Sequence, residues 1–231
     1  MTDKTKNNEH IPLSDLGDYT ELVDAAMRQA ADDFYATIKK RHTIRAFSSD
    51  PVPQEVIETC IKAAGTAPSG ANHQPWHFVI VGDKKIKKKI RVAAEEEERA
   101  FYEGRAGTEW LDALSPIGTD ANKQTLEDAP WLICIFAQRR GGIEQDGNKK
   151  NYYIHESCGI ATGLLITALH VSGLCTLTHT PNPMSFLNDI LKRPSSEKPY
   201  LILVVGKPAK DATVPAHALK KKPLKEIINI F

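Results

Sequence analysis

An acid, a phenol and an amine stand at Glu98, Tyr102 and Lys123. Glu98 and Tyr102 have i, i+4 spacing, so on a helix they share one face. Lys123 comes later, across a segment containing Gly104, Gly107 and Gly118. On one mobile segment these groups suit the charged end of an amino acid: carboxylate for ammonium, ammonium for carboxylate, phenol between them. A second set, Arg41-His42-Thr43-Ile44-Arg45, offers two guanidiniums and a hydroxyl. Planar guanidinium forks match phosphate oxygens, although the same residues would also serve as a basic helix end placed on the dipole. A third set is Ala67-Pro68-Ser69-Gly70-Ala71-Asn72-His73-Gln74-Pro75-Trp76. Its prolines forbid a continued helix, and its backbone N–H groups and amides are free to meet a ligand beside a strand. With this loop present, the phosphate reading of the arginines is favoured. A fourth, Thr176-Leu177-Thr178-His179-Thr180-Pro181-Asn182, leaves a strand; its threonines suit either strand and turn formation or contact with a ligand edge.

Other chemistries are disfavoured. No G-x-G-x-x-G or G-x-x-x-x-G-K-[ST] occurs, so a nucleotide would not be held in Rossmann or P-loop style. His73 and His77 have the spacing of a zinc pair, but Pro75 breaks the helix that such a pair needs, and no metal is expected. His155, His170 and His179 read as packing or hydrogen-bonding residues. Lysines and arginines number 30 against 29 acids, which argues against nucleic acid or an anionic membrane as main partner. Cys60, Cys134, Cys158 and Cys175 lie far apart in apolar contexts and read as small buried thiols. The polar stretch Thr2 to Glu9 lacks a signal-peptide core. The apolar run Gly159 to Leu169 is too short to span a bilayer. A soluble, cytoplasmic protein is expected.

The positioning elements follow from periodicity. Residues up to about Pro12 read as a mobile arm, and 13–231 as a single domain. Helices are expected at Leu22–Ile38, from Pro53 to Gly65, and from Lys84 to about Tyr102 with Asp83 as its cap. The run Lys84 to Arg91, continued by Glu95 to Glu98, reads as a solvated charged face. Strands are expected at Trp76–Val81, Trp131–Phe136, Leu174–Thr178 and Tyr200–Val205. Arg139 to Lys150 reads as a polar loop. Ile154–Val171 is apolar nearly all round and is expected as a central buried helix. A short helix near Ser185–Leu191 and an apolar tail, Leu224–Phe231, complete the chain. Helices and strands intersperse without strict alternation, which favours an α+β fold with a mixed or antiparallel central sheet flanked by helices.

Arg-x-Thr-x-Arg at 41–45, then Ala-Pro-Ser-Gly-Ala-x-x-Gln-Pro-Trp at 67–76 and a strand, resembles the nitroreductase superfamily of FMN-dependent, intertwined homodimers. Within it the chain resembles most the iodotyrosine deiodinase family, from about His10 to Leu224. That family's lid places Glu, Tyr, Trp, Leu and Lys at set offsets, which here fall on Glu98, Tyr102, Trp110, Leu114 and Lys123. The lid would span about 98–125.

The resemblance implies a role for each matching residue. Arg41, His42, Thr43 and Arg45 hold the FMN phosphate and nearby polar atoms; where the family often has a second arginine, this chain has His42. Pro68, Ser69 and Gly70 line the flavin. Thr178, His179 and Thr180 pass the isoalloxazine, with Thr180 donating its hydroxyl toward N5. Lys221 stands for a C-terminal arginine, keeping the charge without the fork. The Ala71 N–H binds the substrate phenolate, Glu98 the ammonium and Lys123 the carboxylate, with Tyr102 between them, while Trp110 and Leu114 help to close the lid. Ala71 and Thr180 are thus the residues nearest the chemistry. The activity implied is reductive dehalogenation of iodo-, bromo- or chlorotyrosine to tyrosine and halide, with electrons from a reductase or NAD(P)H. A general nitroreductase or quinone reductase is the first rival, and a non-catalytic flavin or halotyrosine binder the second.

Overall fold

A computed structural model describes residues 13–17, 19–142 and 149–231. The arm expected up to Pro12 lies outside the described residues, as does the middle of the Arg139–Lys150 loop. The chain divides into two compact units, Met1–Lys39 and Lys40–Phe231. In the first, the helix α1 (Asp24–Ile38) buries none of its residues and has no basic residue in its last turn.

The second unit is built on one sheet. In chain order its elements are α2 (Gln54–Gly65), β1 (Trp76–Val81), α3 (Lys84–Ala100), α4 (Thr108–Leu114), α5 (Thr125–Asp128), β2 (Trp131–Gln138), α6 (Ile154–Val171), β3 (Cys175–His179), α7 (Phe186–Ile190), β4 (Glu197–Gly206) and α8 (Ala216–Leu219). The sheet order is β1-β2-β4-β3, and every neighbouring pair is antiparallel. Side chains on a strand alternate between faces, and β2 shows the result. Leu132, Cys134 and Phe136 pack with Ile90 and Ala94 of α3 and Leu187 of α7. Ile133 and Ile135 pack with Ile57, Cys60 and Ala64 of α2 and Leu165 and Leu169 of α6. Helices therefore cover both faces of the sheet, as the α+β expectation requires.

Three expectations change. α3 starts as expected, with the Asp83 carboxylate accepting the Ile86 N–H at 2.8 Å, but it does not run to Tyr102. Its last turn opens into a wide π turn, Phe101–Arg105, closed by the Ala106 N–H on the Phe101 carbonyl. Such a turn inserts a residue into the helical register and re-aims the side chains beyond it. The charged face of α3 is not wholly solvated: Lys87 and Glu95 are buried. Finally, α6 is not buried all round. Cys158, Ala161, Leu165 and Leu169 face the sheet fully buried, whereas Ile160, Leu164 and Val171 are exposed. With eighteen residues and mean hydropathy 1.2, this helix could by length and composition alone cross a bilayer, which the shorter run Gly159–Leu169 did not suggest.

Three of the cysteines are buried and Cys175 is half-buried. Burial pushes the Cys134 and Cys158 thiols up to about 12, which leaves them protonated and unreactive.

Leu165 lies at the centre of the layer between α6 and the sheet. Leu165→Ala is expected to cost about 2–5 kcal/mol in urea denaturation through lost contacts and a residual cavity.

Candidate active site

A cavity of about 690 Å³ opens between the end of α3, the segment after it and the end of β3. α3 contributes Glu98, the π turn Phe101, Tyr102 and Arg105, and α4 Trp110 and Leu114. The return segment 119–128 contributes Lys123, and the end of β3 contributes Thr178, His179 and Thr180, with Arg45 beside them. Every lid residue expected from the sequence is on these walls.

Lys123 is only 8% exposed. Its Nζ lies 3.1 Å from Glu98 Oε2 and 3.2 Å from Thr119 Oγ1, and it also donates to the Asp120 carbonyl. The ammonium stands 5.9 Å above the Tyr102 ring, a cation–π distance. The three groups expected to grip a zwitterion are therefore already together, and Glu98 and Lys123 pair with each other. An inserted zwitterion would replace that one pair by two without leaving any charge alone. Phe101 braces the arrangement, meeting Tyr102 and Trp110 edge-on at centroid distances of 5.3 and 5.0 Å. The π turn itself is stapled by Arg105, which donates to the carbonyl and the carboxylate of Glu97 at 2.6 and 2.7 Å.

The opposite wall has open polar capacity. His179 Nε2 there, and Thr125 Oγ1 on the return segment, are buried without a hydrogen-bond partner among the described residues. Thr178 and Thr180 alternate with the buried His179 and are exposed. Arg41, His42 and Thr43 adjoin this wall through the backbone. Thr43 bridges Thr176 of β3 in parallel, and the Ile44 N–H reaches the Thr176 carbonyl at 3.2 Å. Two arginines, hydroxyls and unsatisfied buried polar atoms fit a phosphorylated, polar-edged ring system such as FMN. Burial, reinforced by the Lys123 charge, lowers the His179 imidazole to about 4.

The Pro68–Ala71 loop and Lys221 are not walls of this cavity. Lys221 is exposed and donates to the Ala218 carbonyl at 2.7 Å. The loop packs elsewhere: a Cβ on Gly70 would stand 2.7 Å from the Tyr152 carbonyl oxygen, so only glycine fits. Ala71, Asn72 and Gln74 all take positive φ, near 50°, a conformation that costs each roughly 1–2 kcal/mol. The N–H groups of Gly70, Asn72, His73 and Gln74 go to Ser157 Oγ, the Ser69 carbonyl, the Gly70 carbonyl and Ser69 Oγ. Among the described residues the Ala71 N–H is left without a partner. His73 bonds Asn151 Oδ1 at 3.0 Å, whereas His77 lies beside Arg193 and Glu197. Sequence reasoning missed Phe101, Arg105 and Thr125 on the walls and, behind them, the buried Glu95 with its half-buried partner Arg91. The i, i+4 spacing of 87, 91 and 95 was the signal available.

A histidine whose folded pKa lies below its unfolded value adds stability that is full above about pH 6.5 and is lost as pH falls toward about 4. Within that window the wild type is expected to lose up to about 1.4 kcal/mol per pH unit more than His179→Asn. Urea titrations at several pH values check this; parallel losses would show that His179 is not held neutral.

Comparison with known proteins places the chain. The Nitroreductase family model matches residues 38–207. Iodotyrosine deiodinase of Haliscomenobacter hydrossis is 48% identical over 196 residues, 85% of this chain and 88% of that protein. Mouse iodotyrosine deiodinase 1 is 46% identical over 221 residues, 95% of this chain and 75% of its own. Among solved structures, oxidised iodotyrosine deiodinase bound to FMN and 3-iodo-L-tyrosine aligns with a TM-score of 0.70 at 34% identity, covering 86% of this chain and 98% of that one. A nitroreductase-like protein from Streptococcus mutans, 19% identical with a TM-score of 0.64, shares the fold. The chain belongs to the nitroreductase family, in its iodotyrosine deiodinase branch.

Proposed function

We propose that this protein is an FMN-dependent reductive dehalogenase that converts iodotyrosine, and bromo- or chlorotyrosine, to tyrosine and halide. The observation that carries this is the pair of the buried Lys123 with the half-buried Glu98 beside Tyr102, at one end of a cavity whose other wall suits a flavin. The relative crystallised with FMN and 3-iodo-L-tyrosine supports it. A nitroaromatic or a quinone has no zwitterion for this pair to receive, which disfavours a general nitroreductase. Simple binding without turnover would give no use to Thr180 at the flavin wall.

In this mechanism bound, reduced FMN supplies the electrons, so that two electrons and a proton replace the carbon–halogen bond by carbon–hydrogen. The protein does the rest. Arg41, His42, Thr43 and Arg45 hold the phosphate, and Thr178, His179 and Thr180 border the ring. Glu98 takes the substrate ammonium and Lys123 the carboxylate. Lys123 keeps its bonds to Thr119 and Asp120 while it exchanges partners. Trp110 and Leu114 close over the ligand and exclude water, which strengthens these contacts. The Ala71 N–H, without a partner among the described residues, receives the phenolate oxygen.

Ala71 is not among the residues that line this cavity, so in this mechanism a second copy of the chain brings it there. A homodimer with Pro68–Ala71 of one protomer completing the site of the other accounts for that. The apolar side chains exposed on α1 (Met27, Phe34), on α6 (Ile160, Leu164) and along the tail (Leu224, Ile227, Ile230, Phe231) support the same assembly. A cytoplasmic location and a reductase or NAD(P)H as electron source complete the proposal.

The purified protein is expected to be yellow and, under anaerobic conditions with dithionite, to release iodide and tyrosine from iodotyrosine. Rapid nitroaromatic reduction with no halide release would transfer the assignment to the rival. Glu98→Gln and Lys123→Met should each weaken iodotyrosine binding by about 2–5 kcal/mol, because the substrate ammonium or carboxylate is then taken out of water without its partner. Leu164→Lys should sediment as a monomer and lose FMN; a stable yellow dimer would remove α6 from the interface.

A further inference from the structure

The polar side of α3 carries Lys87, Arg91, Glu95, Glu98 and, past its end, Tyr102, at successive steps of four, four, three and four residues. This is the spacing of one helix face, and its two halves do different things. Glu98 and Tyr102 face the cavity. The other three grip the return segment of the lid. Lys87 Nζ donates to the Glu127 and Ala129 carbonyls at 2.9 and 2.5 Å, and Arg91 pairs with Glu127 Oε1 at 2.5 Å and with Glu95 Oε2 at 2.8 Å. The other Glu95 oxygen accepts the buried Lys123 N–H at 2.9 Å. Glu95 itself is 9% exposed.

We propose that Glu95 is a positioning residue for substrate recognition: by holding the Lys123 backbone, it sets where the Lys123 ammonium meets the substrate carboxylate. The inference rests on the zwitterion clamp described above. Lys123 has a long, flexible stem, and its ammonium is useful only if its Cα is fixed. The neighbouring N–H bonds of the return segment are local: Asn122 to Asp120 Oδ1, Gln124 to Asn122 Oδ1 and Leu126 to the Lys123 carbonyl. The bond to Glu95 instead ties residue 123 to α3. Burial acts to raise the Glu95 carboxyl, but the Lys123 N–H and the Arg91 guanidinium outweigh it and hold the group ionised. Arg91, fixed in turn by Glu127, anchors the far side of the carboxylate. The result is a rigid ruler along α3: the same helix that presents Glu98 measures the position of its partner.

The test uses FMN-loaded wild type, Glu95→Ala and Glu95→Gln, with two probes. 3-Iodotyrosine carries the zwitterion; 2-iodophenol has the same ring, hydroxyl and halogen without it. For Glu95→Ala the Kd of 3-iodotyrosine by calorimetry, and its KM, should rise about tenfold or more while kcat stays within about twofold. The kcat/KM for 2-iodophenol and the FMN affinity should be unchanged. Glu95→Gln, which keeps an acceptor for the Lys123 N–H, should restore much of the loss and is decisive should the alanine variant not fold. Equal losses on both probes would make Glu95 merely structural, and no loss on either would show that Lys123 finds its place without it; each overturns the proposal. Tight iodotyrosine binding by the wild type without halide release would overturn the dehalogenase assignment instead, while the ratio of Kd values still decides this one.

Discussion

Two opposite charges held out of water 3.1 Å apart, on Glu98 and Lys123, are the constraint around which the rest of the site is arranged. Such a pair contributes little net stability, because desolvation offsets most of the Coulomb attraction, yet losing either partner is costly. Its presence makes sense if partners are exchanged rather than kept. A cavity that must accept a zwitterion needs both signs ready, and each must be neutralised until the ligand arrives. The chain meets this by ending α3 at the pair, opening the helix into a π turn so that Tyr102 faces the ammonium, and folding the return segment back along α3. The aromatic set Phe101, Tyr102 and Trp110 then gives the turn an apolar side to rest on.

The wall formed by the end of β3 rests on a different arrangement. Two functions, strand pairing and cavity lining, fall on the five residues Thr176 to Thr180, and the proposed flavin contact would add a third. Alternation along β3 turns His179 inward and Thr178 and Thr180 outward. The inward histidine stays neutral because burial and the Lys123 charge both oppose protonation. The two ends of the cavity are thus electrostatically linked without touching through a hydrogen bond.

Much of this was legible in the residues. The strand Trp76–Val81 and the helix Ile154–Val171 coincide with their periodic signals, because each has an unbroken pattern and clear stop residues. The lid residues were legible by type and offset. The π turn was not, because its wide register is imposed by the Arg105–Glu97 staple and the aromatic contacts, not by local propensity. The burial of Lys87 and Glu95 was hidden for a similar reason. A charged stripe looks the same whether it faces water or a segment about forty residues on, and only the fold supplies Glu127 and Ala129. Nor was it legible that α6 leaves Ile160 and Leu164 exposed, since a run that is apolar nearly all round does not mark which of its sides the fold covers.

The β3 strand lies at the edge of the sheet, where unpaired N–H and C=O groups invite other chains to add on. Here the edge is partly sealed by the Thr43–Thr176 bridge and the Ile44 N–H bond. The residues that do the sealing belong to the same short run that carries the arginines. On the proposed role of those arginines in holding the flavin phosphate, loss of the cofactor would loosen that run and uncover a template for intermolecular pairing. In that proposal, keeping the flavin also keeps the sheet edge covered.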